Sequence, residues 1–230
     1  MTGRKPKTAA ELMAELEGDE AWVQRREESD AERQSELRQN RLDAAPVLAA
    51  VAEIAGVEAD SISELRELSS PAVVAVLIDW LPQVDNVQVK RDIASALGNE
   101  WARPAAAVPL LAAFDATAGD GAKDGLRWSI ASALSEVADS SVTHRIIQLV
   151  LDRRNGSARQ MLTIALGRSS DMSAVPVLVE LLADYEVAGH AGMALSALQA
   201  DETRSEIEKL QDDDRSWVRD EVRRALADFR

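Results

Sequence analysis

The sequence predicts an all-α protein in which antiparallel helix pairs stack side by side. Of its 230 residues, 46% are hydrophobic but only 3% are aromatic, and the good helix formers Ala, Leu, Glu, Arg and Gln are abundant. The alternating β-branched and aromatic runs that a sandwich or barrel needs are absent. The one candidate strand, residues 73–78, continues through residue 81 without alternation, so it predicts a buried helix.

A recurring Ala-Leu pair marks an internal repeat from about residue 71 onward. The residues seven, and three or four, positions before each Ala are apolar. These positions share one face of a helix, so each copy predicts an amphipathic helix. Gly98 and Gly167, two residues after the Ala, fit helix-ending glycines. The copies are Ala96-Leu97, Ala133-Leu134, Ala165-Leu166, Ala194-Leu195 and Ala225-Leu226.

A second apolar segment precedes each of these helices, and short turns rich in Asp, Gly or Asn separate the two. The unit is therefore helix, turn, helix, with roughly 30 residues per repeat. One such pair cannot bury its apolar face alone, so about five pairs over residues 71–230 are expected to share a continuous core. The first segments are residues 72–82, 105–116, 142–152, 174–184 and 203–211.

These units resemble short HEAT-like repeats of the bilin-lyase-related type. The resemblance covers about residues 71–230 and implies a right-handed α-solenoid. It speaks to the fold more than to the function, because this repeat serves many unrelated tasks. The fourth unit departs from the pattern, since Ala188 stands where an Arg usually begins the second helix. AVPVLVELLAD (174–184) matches the first helix, and VKRDIASALG (89–98), ARQMLTIALG (158–167) and VRDEVRRALA (218–227) match the second.

A basic side chain recurs at the start of the other second helices. In HEAT-like families an Asp in the turn pairs with this position and forms a ladder along the solenoid. The alternative is that these cations form a charged row on the concave surface and contact a partner. Asp213 and Arg219 have the usual spacing of six residues. If changes in turn length are allowed, the ladder also predicts the pairs Asp85 with Lys90, five apart, and Asp120 with Arg127 and Asp152 with Arg159, seven apart.

Residues 41–70 differ from the repeats and predict a pair of helices that caps one end of the solenoid. Asp43 fits an N-cap and Pro46 fits the first turn, so a helix is expected to begin there and to stop at Gly56. A second short helix is expected over residues 61–68.

Residues 1–40 predict a polar helical or flexible arm. Thr8 and Glu11 form a capping-box pattern, which predicts a short helix that ends at Gly18-Asp19. Residues 24–36 contain a single apolar side chain, so this segment is expected to be solvated. The arm is either a frayed extension or a docking segment, and its anchors would then be Leu12, Leu16, Trp22 and Val23.

No catalytic, cofactor or metal-binding constellation stands out, so the sequence predicts a protein that is not an enzyme and carries no cofactor or metal. There is no cysteine. His144 and His190 lack the companions of a zinc motif, so each is expected to be a surface or hydrogen-bonded helix histidine. HEAT-like DNA glycosylases offer an alternative through Trp128 and Asp124, but phosphate contacts require a basic surface. Bilin-lyase activity is equally weakly indicated.

The net charge of −14 favours a protein partner, with basic proteins as the natural candidates, over nucleic acid. The leading hypothesis is a non-enzymatic protein-binding scaffold or adaptor that recognises its partner through the concave face of the solenoid, with the N-terminal arm as a second candidate contact. A specific version is an immunity or antitoxin-like inhibitor of a basic toxin. No apolar run approaches the length of a membrane span and no secretory signal is evident, so a cytoplasmic protein is expected. The candidate contact residues are Lys90, Arg127, Trp128, Arg159, Arg219 and Trp22.

Overall fold

A computed structural model describes residues 7–68, 70–117 and 124–228. Throughout this part the chain is helical, with twelve α-helices, several short 3-10 helices and no β-strand, which confirms the predicted all-α class. The chain divides into two compact units, Met1–Asp43 and Ala44–Arg230. None of the helices in the described ranges is both long and apolar enough to cross a membrane.

The first unit contains α1 (Ala9–Glu17) and the first part of α2 (Glu20–Ala55). Asp19 separates the two helices, because its carboxylate accepts hydrogen bonds from the N–H groups of Ala21 and Trp22 at 3.0 and 3.2 Å. Residues 24–36 are helical and mostly exposed. Their Glu, Arg and Gln side chains favour a helix without a hydrophobic face.

The prediction that a helix begins at Asp43 is wrong, since α2 continues without a break through Pro46. The Asp43 carboxylate accepts a hydrogen bond from Gln39 at 2.8 Å, which is an i,i+4 contact along a helix. The good helix formers before Asp43 extend the helix backwards. Pro46 removes one backbone donor without ending it.

The second unit begins with the last turns of α2, where Val47 and Val51 are fully buried. The short helix expected over residues 61–68 is a 3-10 helix, Ile62–Arg66, which buries Ile62 and Leu65. The Glu64 carboxylate fixes its start, because it accepts hydrogen bonds from the Asp60 N–H and the Ser61 hydroxyl, both at 3.1 Å.

Five helix pairs follow, each with a first and a second helix. The first helices are α3 (Pro71–Trp80), α5 (Ala107–Asp115), α7 (Thr143–Leu151), α9 (Val175–Leu181) and α11 (Arg204–Glu208). The second helices are α4 (Val87–Leu97), α6 (Asp124–Val137), α8 (Ala158–Arg168), α10 (Ala188–Ala197) and α12 (Ser216–Asp228). The fifth first helix is the shortest because only Ile207 anchors it in the core.

The second helices form the spine of this unit, since α6 packs on α4, α8 on α6, α10 on α8 and α12 on α10. The Ala-Leu pairs lie at these contacts, and all are buried except the half-buried Leu226. The face that the periodicity predicts is therefore the face that packs.

Small residues two positions after each Ala allow the second helices to approach closely. Gly167 lies inside α8 and does not end it, so the prediction of a helix-ending glycine is wrong at this position. A Cβ on Gly167 would lie 2.7 Å from the Cα of Ala194 in α10. In the fourth pair Ser196 takes this position, and its hydroxyl donates to the Ala225 carbonyl of α12 at 2.8 Å.

Candidate protein-binding surface

The turns that join the two helices of a pair share one hydrogen bond, which lies just before the second helix. In each of the four turns described here, an Asn or Asp side chain accepts the backbone N–H of the residue two positions later. This Asx turn replaces a backbone hydrogen bond at the place where the chain reverses. The acceptors are Asn86 (2.9 Å), Asp152 (3.1 Å), Asp184 (3.0 Å) and Asp213 (2.9 Å).

Among the described lysines and arginines, Arg159 is the most buried, with 1% of its surface exposed. Its guanidinium donates to the Val150 carbonyl at 2.6 Å and to the carboxylates of Asp184 and Glu186, each at 2.7 Å. Burial works to raise the pKa of Asp184, but hydrogen bonds from Arg159 and the Glu186 N–H more than offset it, so the pKa is lowered. Arg159 therefore ties the third pair to the turn of the fourth.

The predicted pair of Asp152 with Arg159 is wrong. Asp152 pairs instead with Arg154 of its own turn at 2.7 Å, and this hydrogen bonding lowers the pKa of Asp152 to about 2. Sequence spacing predicts that Arg159 contacts the acid of its own turn. Arg159 instead reaches Asp184 in the turn of the next pair, because stacking brings that turn close to the start of α8.

Arg127 in the second pair is also buried, with 6% of its surface exposed, and it also reaches the turn of the next pair. It donates to the Thr117 hydroxyl at 3.0 Å and to the Asn155 side chain in the turn of the third pair. Its guanidinium also lies 4.2 Å from the centre of the Phe114 ring. The predicted partner Asp120 lies outside the described residues. Burial leaves little of Arg127 or Arg159 for a partner.

The two remaining cations of the predicted row behave differently. Arg219 donates to the backbone carbonyl of Asp213, whereas the sequence predicts a contact with the carboxylate. The Lys90 backbone N–H donates to the Asn86 carbonyl at 2.9 Å, but the Lys90 side chain makes no hydrogen bond or ion pair within the described ranges, so the structure does not form the predicted pair with Asp85. Lys90 and Asp85 line a cavity of about 490 Å³ between α3 and α5.

In the fourth pair, Ala188 stands where the other second helices carry a basic residue. Here the acid of the next turn, Asp213, contacts Arg215 instead. Arg215 forms a two-pronged contact with the Asp213 carboxylate, with both distances 2.7 Å, and also donates to the backbone carbonyl of Tyr185. Its guanidinium lies 4.4 Å from the Tyr185 ring centre and 5.5 Å from that of Trp217. We call Tyr185, Arg215 and Trp217 the aromatic edge.

The aromatic edge lies largely in solvent, with Tyr185 71% and Trp217 38% exposed. Sequence reasoning missed Tyr185 and Arg215. Two features of the sequence could have indicated them. Ala188 stands where a basic residue is expected, and Arg215 lies two residues after Asp213 in the next turn.

Exposed or half-buried apolar side chains recur on consecutive second helices. Trp128 on α6 is 43% exposed, and it borders a small cavity with Ser132 and Glu136. Farther along, Ile164 and Met193 line a cavity of about 280 Å³ with Arg224. We define the second-helix face by Trp128, Met161, Ile164, Met193 and Trp217, all exposed or half-buried.

His190 lies beside this face, and its ring centre is 5.7 Å from that of Trp217. Burial lowers the pKa of His190, and the negative charge of Glu221 opposes the shift. The Nδ1 atom is buried without a hydrogen-bond partner in the described structure, in contrast to the expected hydrogen-bonded histidine. Nowhere in the described ranges do three or more His, Asp or Glu side chains cluster as metal ligands would.

In the first unit, Trp22 is half-buried and its ring centre lies 5.4 Å from the guanidinium of Arg26. Leu12, Met13 and Leu16 are exposed on α1, between 37% and 48%. The anchors expected of a docking arm are therefore accessible or partly accessible in this unit.

Comparison with known families agrees with the resemblance in the sequence. Residues 143–227, which span α7 to α12 except the last residue of α12, match the family model described as HEAT repeats. Residues 143–227 are thus similar to HEAT repeats. No curated protein matches the chain.

Proposed function

We propose that this chain is a non-enzymatic protein-binding scaffold. Its residues 41–230 would form a right-handed HEAT-like solenoid of stacked antiparallel pairs, preceded by an N-terminal arm over residues 1–40. The second-helix face would be the main contact surface. HEAT repeats commonly serve as protein-interaction scaffolds, and the sequential packing of α4, α6, α8, α10 and α12 supports the stacked arrangement.

The observation that carries this proposal is the apolar row on the second-helix face. Trp and Met are enriched in the buried cores of protein interfaces, and Met adapts its shape to irregular partners. Around the row lie Arg168, Glu136 and Arg224, which matches the polar rim expected of an interface. Lys90, Arg219 and Trp22 remain candidate contacts outside this face.

The partner would be a protein with a basic surface. A net charge of −14 steers basic partners toward the chain and raises the association rate. A more specific version is an immunity-like inhibitor that masks a basic toxin. The alternative of a HEAT-like enzyme, a DNA glycosylase or a bilin lyase, rests on the shared repeat alone.

Site-specific photocrosslinking tests the face. A benzoylphenylalanine placed at Met193 should crosslink a protein partner in the source cells, and Trp128→Ala should reduce the yield. The matched control places the same group at Leu151, which is 50% exposed on a first helix. Equal crosslinking from both positions, or salt-sensitive binding of duplex DNA instead, would contradict the proposal.

A further inference from the structure

The acidity of the chain is concentrated around its fourth and fifth pairs. Residues 180–221 contain twelve acidic and four basic side chains, a net charge of −8 within the total of −14. The aromatic edge lies inside this segment. A partner that reaches the edge therefore meets a negative environment.

The exposed ring of the aromatic edge is held in place before any partner arrives. Arg215 covers one side of Tyr185 at 4.4 Å, yet the residue remains 71% exposed, so the opposite side of the ring is open. The two bonds to Asp213 and the bond to the Tyr185 carbonyl fix Arg215. A ring already ordered loses little conformational entropy on binding.

Two carboxylates that flank Asp213 in the sequence are not neutralised. Asp213 is compensated by Arg215, and this contact lowers the pKa of Asp213 to about 2. Asp184 is compensated by Arg159 and Arg153. Asp212 and Asp214, by contrast, are exposed and make no ion pair or hydrogen bond within the described ranges.

We propose that the aromatic edge, together with Asp212 and Asp214, binds a basic segment of a partner protein. An Arg or Lys side chain of that segment would stack on the open side of Tyr185, since aromatic faces attract cations. Neighbouring cations would pair with Asp212 and Asp214. The composition of the edge, Tyr, Trp and Arg, is that of interface hot spots. This inference rests on the proposed protein-binding function and specifies the chemistry of the partner.

The test is fluorescence anisotropy with the full-length chain and a labelled peptide of six Arg-Gly repeats. Tyr185→Ala leaves the net charge unchanged and should weaken binding at least about fivefold, whereas Tyr185→Phe should retain it, because Phe keeps a cation-binding face. Trp101→Ala, which removes another exposed aromatic side chain (55% exposed), is the matched control and should bind like the wild type.

Charge variants separate a specific site from general attraction. Asp212→Asn with Asp214→Asn should weaken binding and flatten its salt dependence. Glu58→Gln with Glu67→Gln makes the same change of charge at exposed positions outside residues 180–221 and should have a much smaller effect.

Binding by Tyr185→Ala equal to that of the wild type would overturn the inference, as would equal losses in the two double variants. A peptide of six Glu-Gly repeats should not bind. Should the basic peptide fail while photocrosslinking from Met193 still yields a partner, the inference fails and the proposed function stands. Loss of the Met193 crosslinks alone would instead reject the proposed function.

Discussion

At two neighbouring junctions between pairs, different arginines compensate the charge of the turn acid. Between the third and fourth pairs, the turn acid Asp184 is held by Arg159, which comes from the preceding pair and is 1% exposed. Between the fourth and fifth pairs, Ala188 offers no cation, and the turn acid Asp213 is held by Arg215 from its own turn. The Asx turn is the same in both, at 3.0 and 2.9 Å.

The difference shows what each kind of cation contributes. Arg159 makes its hydrogen bonds inside the protein. It therefore joins two pairs and is not exposed at the surface. Arg215 also contacts the rings of Tyr185 and Trp217, which are exposed. The aromatic edge thus lies at the junction that lacks a ladder cation, and substitutions can test the two junctions separately.

The largest effect is expected from Arg159→Ala. This change leaves the Val150 carbonyl and the Asp184 carboxylate without their buried donor, and breaking a buried ion pair costs about 3–5 kcal/mol of unfolding free energy. Urea denaturation measures it. Arg154→Ala, which removes an arginine with a 90% exposed side chain, should change the unfolding free energy far less, because exposed ion pairs contribute little. Similar losses in the two variants would contradict the structural role of Arg159.

Gly167→Ala tests the helix packing at the same junction. The added Cβ would meet the backbone of Ala194 at 2.7 Å, so α8 and α10 must separate, and overpacking of this kind costs about 1–3 kcal/mol. The control is Gly125→Ala in α6, where the nearest atoms belong to the Arg91 side chain at 3.7 Å. That change should be neutral or slightly stabilising, since Ala favours a helix by about 0.5–1 kcal/mol over Gly. Thermal unfolding distinguishes the two.

Asp213→Asn probes the second junction through its pH dependence. Arg215 depresses the pKa of Asp213 from 3.8 to about 2, so the contact stabilises the folded state above about pH 4 and is lost as the pH falls toward 2. The variant should be less stable at pH 7, and its stability should fall less steeply between pH 4 and 2. Parallel acid-unfolding curves for the two proteins would show that Asp213 contributes nothing there.

Tyr185→Ala should have the smallest effect on stability. The side chain is 71% exposed, and Arg215 bonds the backbone carbonyl of Tyr185, which the variant keeps. A change within about 0.5 kcal/mol is expected in urea denaturation, alongside the loss of peptide binding described above. A loss above about 1 kcal/mol would mean that the edge is part of the fold and not a surface feature.

The sequence predicts the elements of this protein well where burial is periodic. The Ala-Leu pairs mark the packing face of every second helix, because a residue's position in a 3.6-residue period fixes the side of the helix on which it lies. The match of residues 143–227 to HEAT repeats agrees with that pattern. The start of α2 is less well predicted, since Asp43 and Pro46 fit a helix start as well as a helix interior stabilised by its neighbours.

Contacts between pairs lay beyond the sequence. Local spacing could place Arg159 and Gly167 on a helix, but it could not show that Arg159 reaches Asp184 or that Gly167 touches Ala194. Those partners depend on how closely successive pairs stack. The sequence by itself thus determined the helices, their buried faces and the acidic charge. The tertiary structure decided which cations are buried, which turn acids stay free and where the aromatic edge is exposed, because these properties depend on distances between residues far apart in the chain.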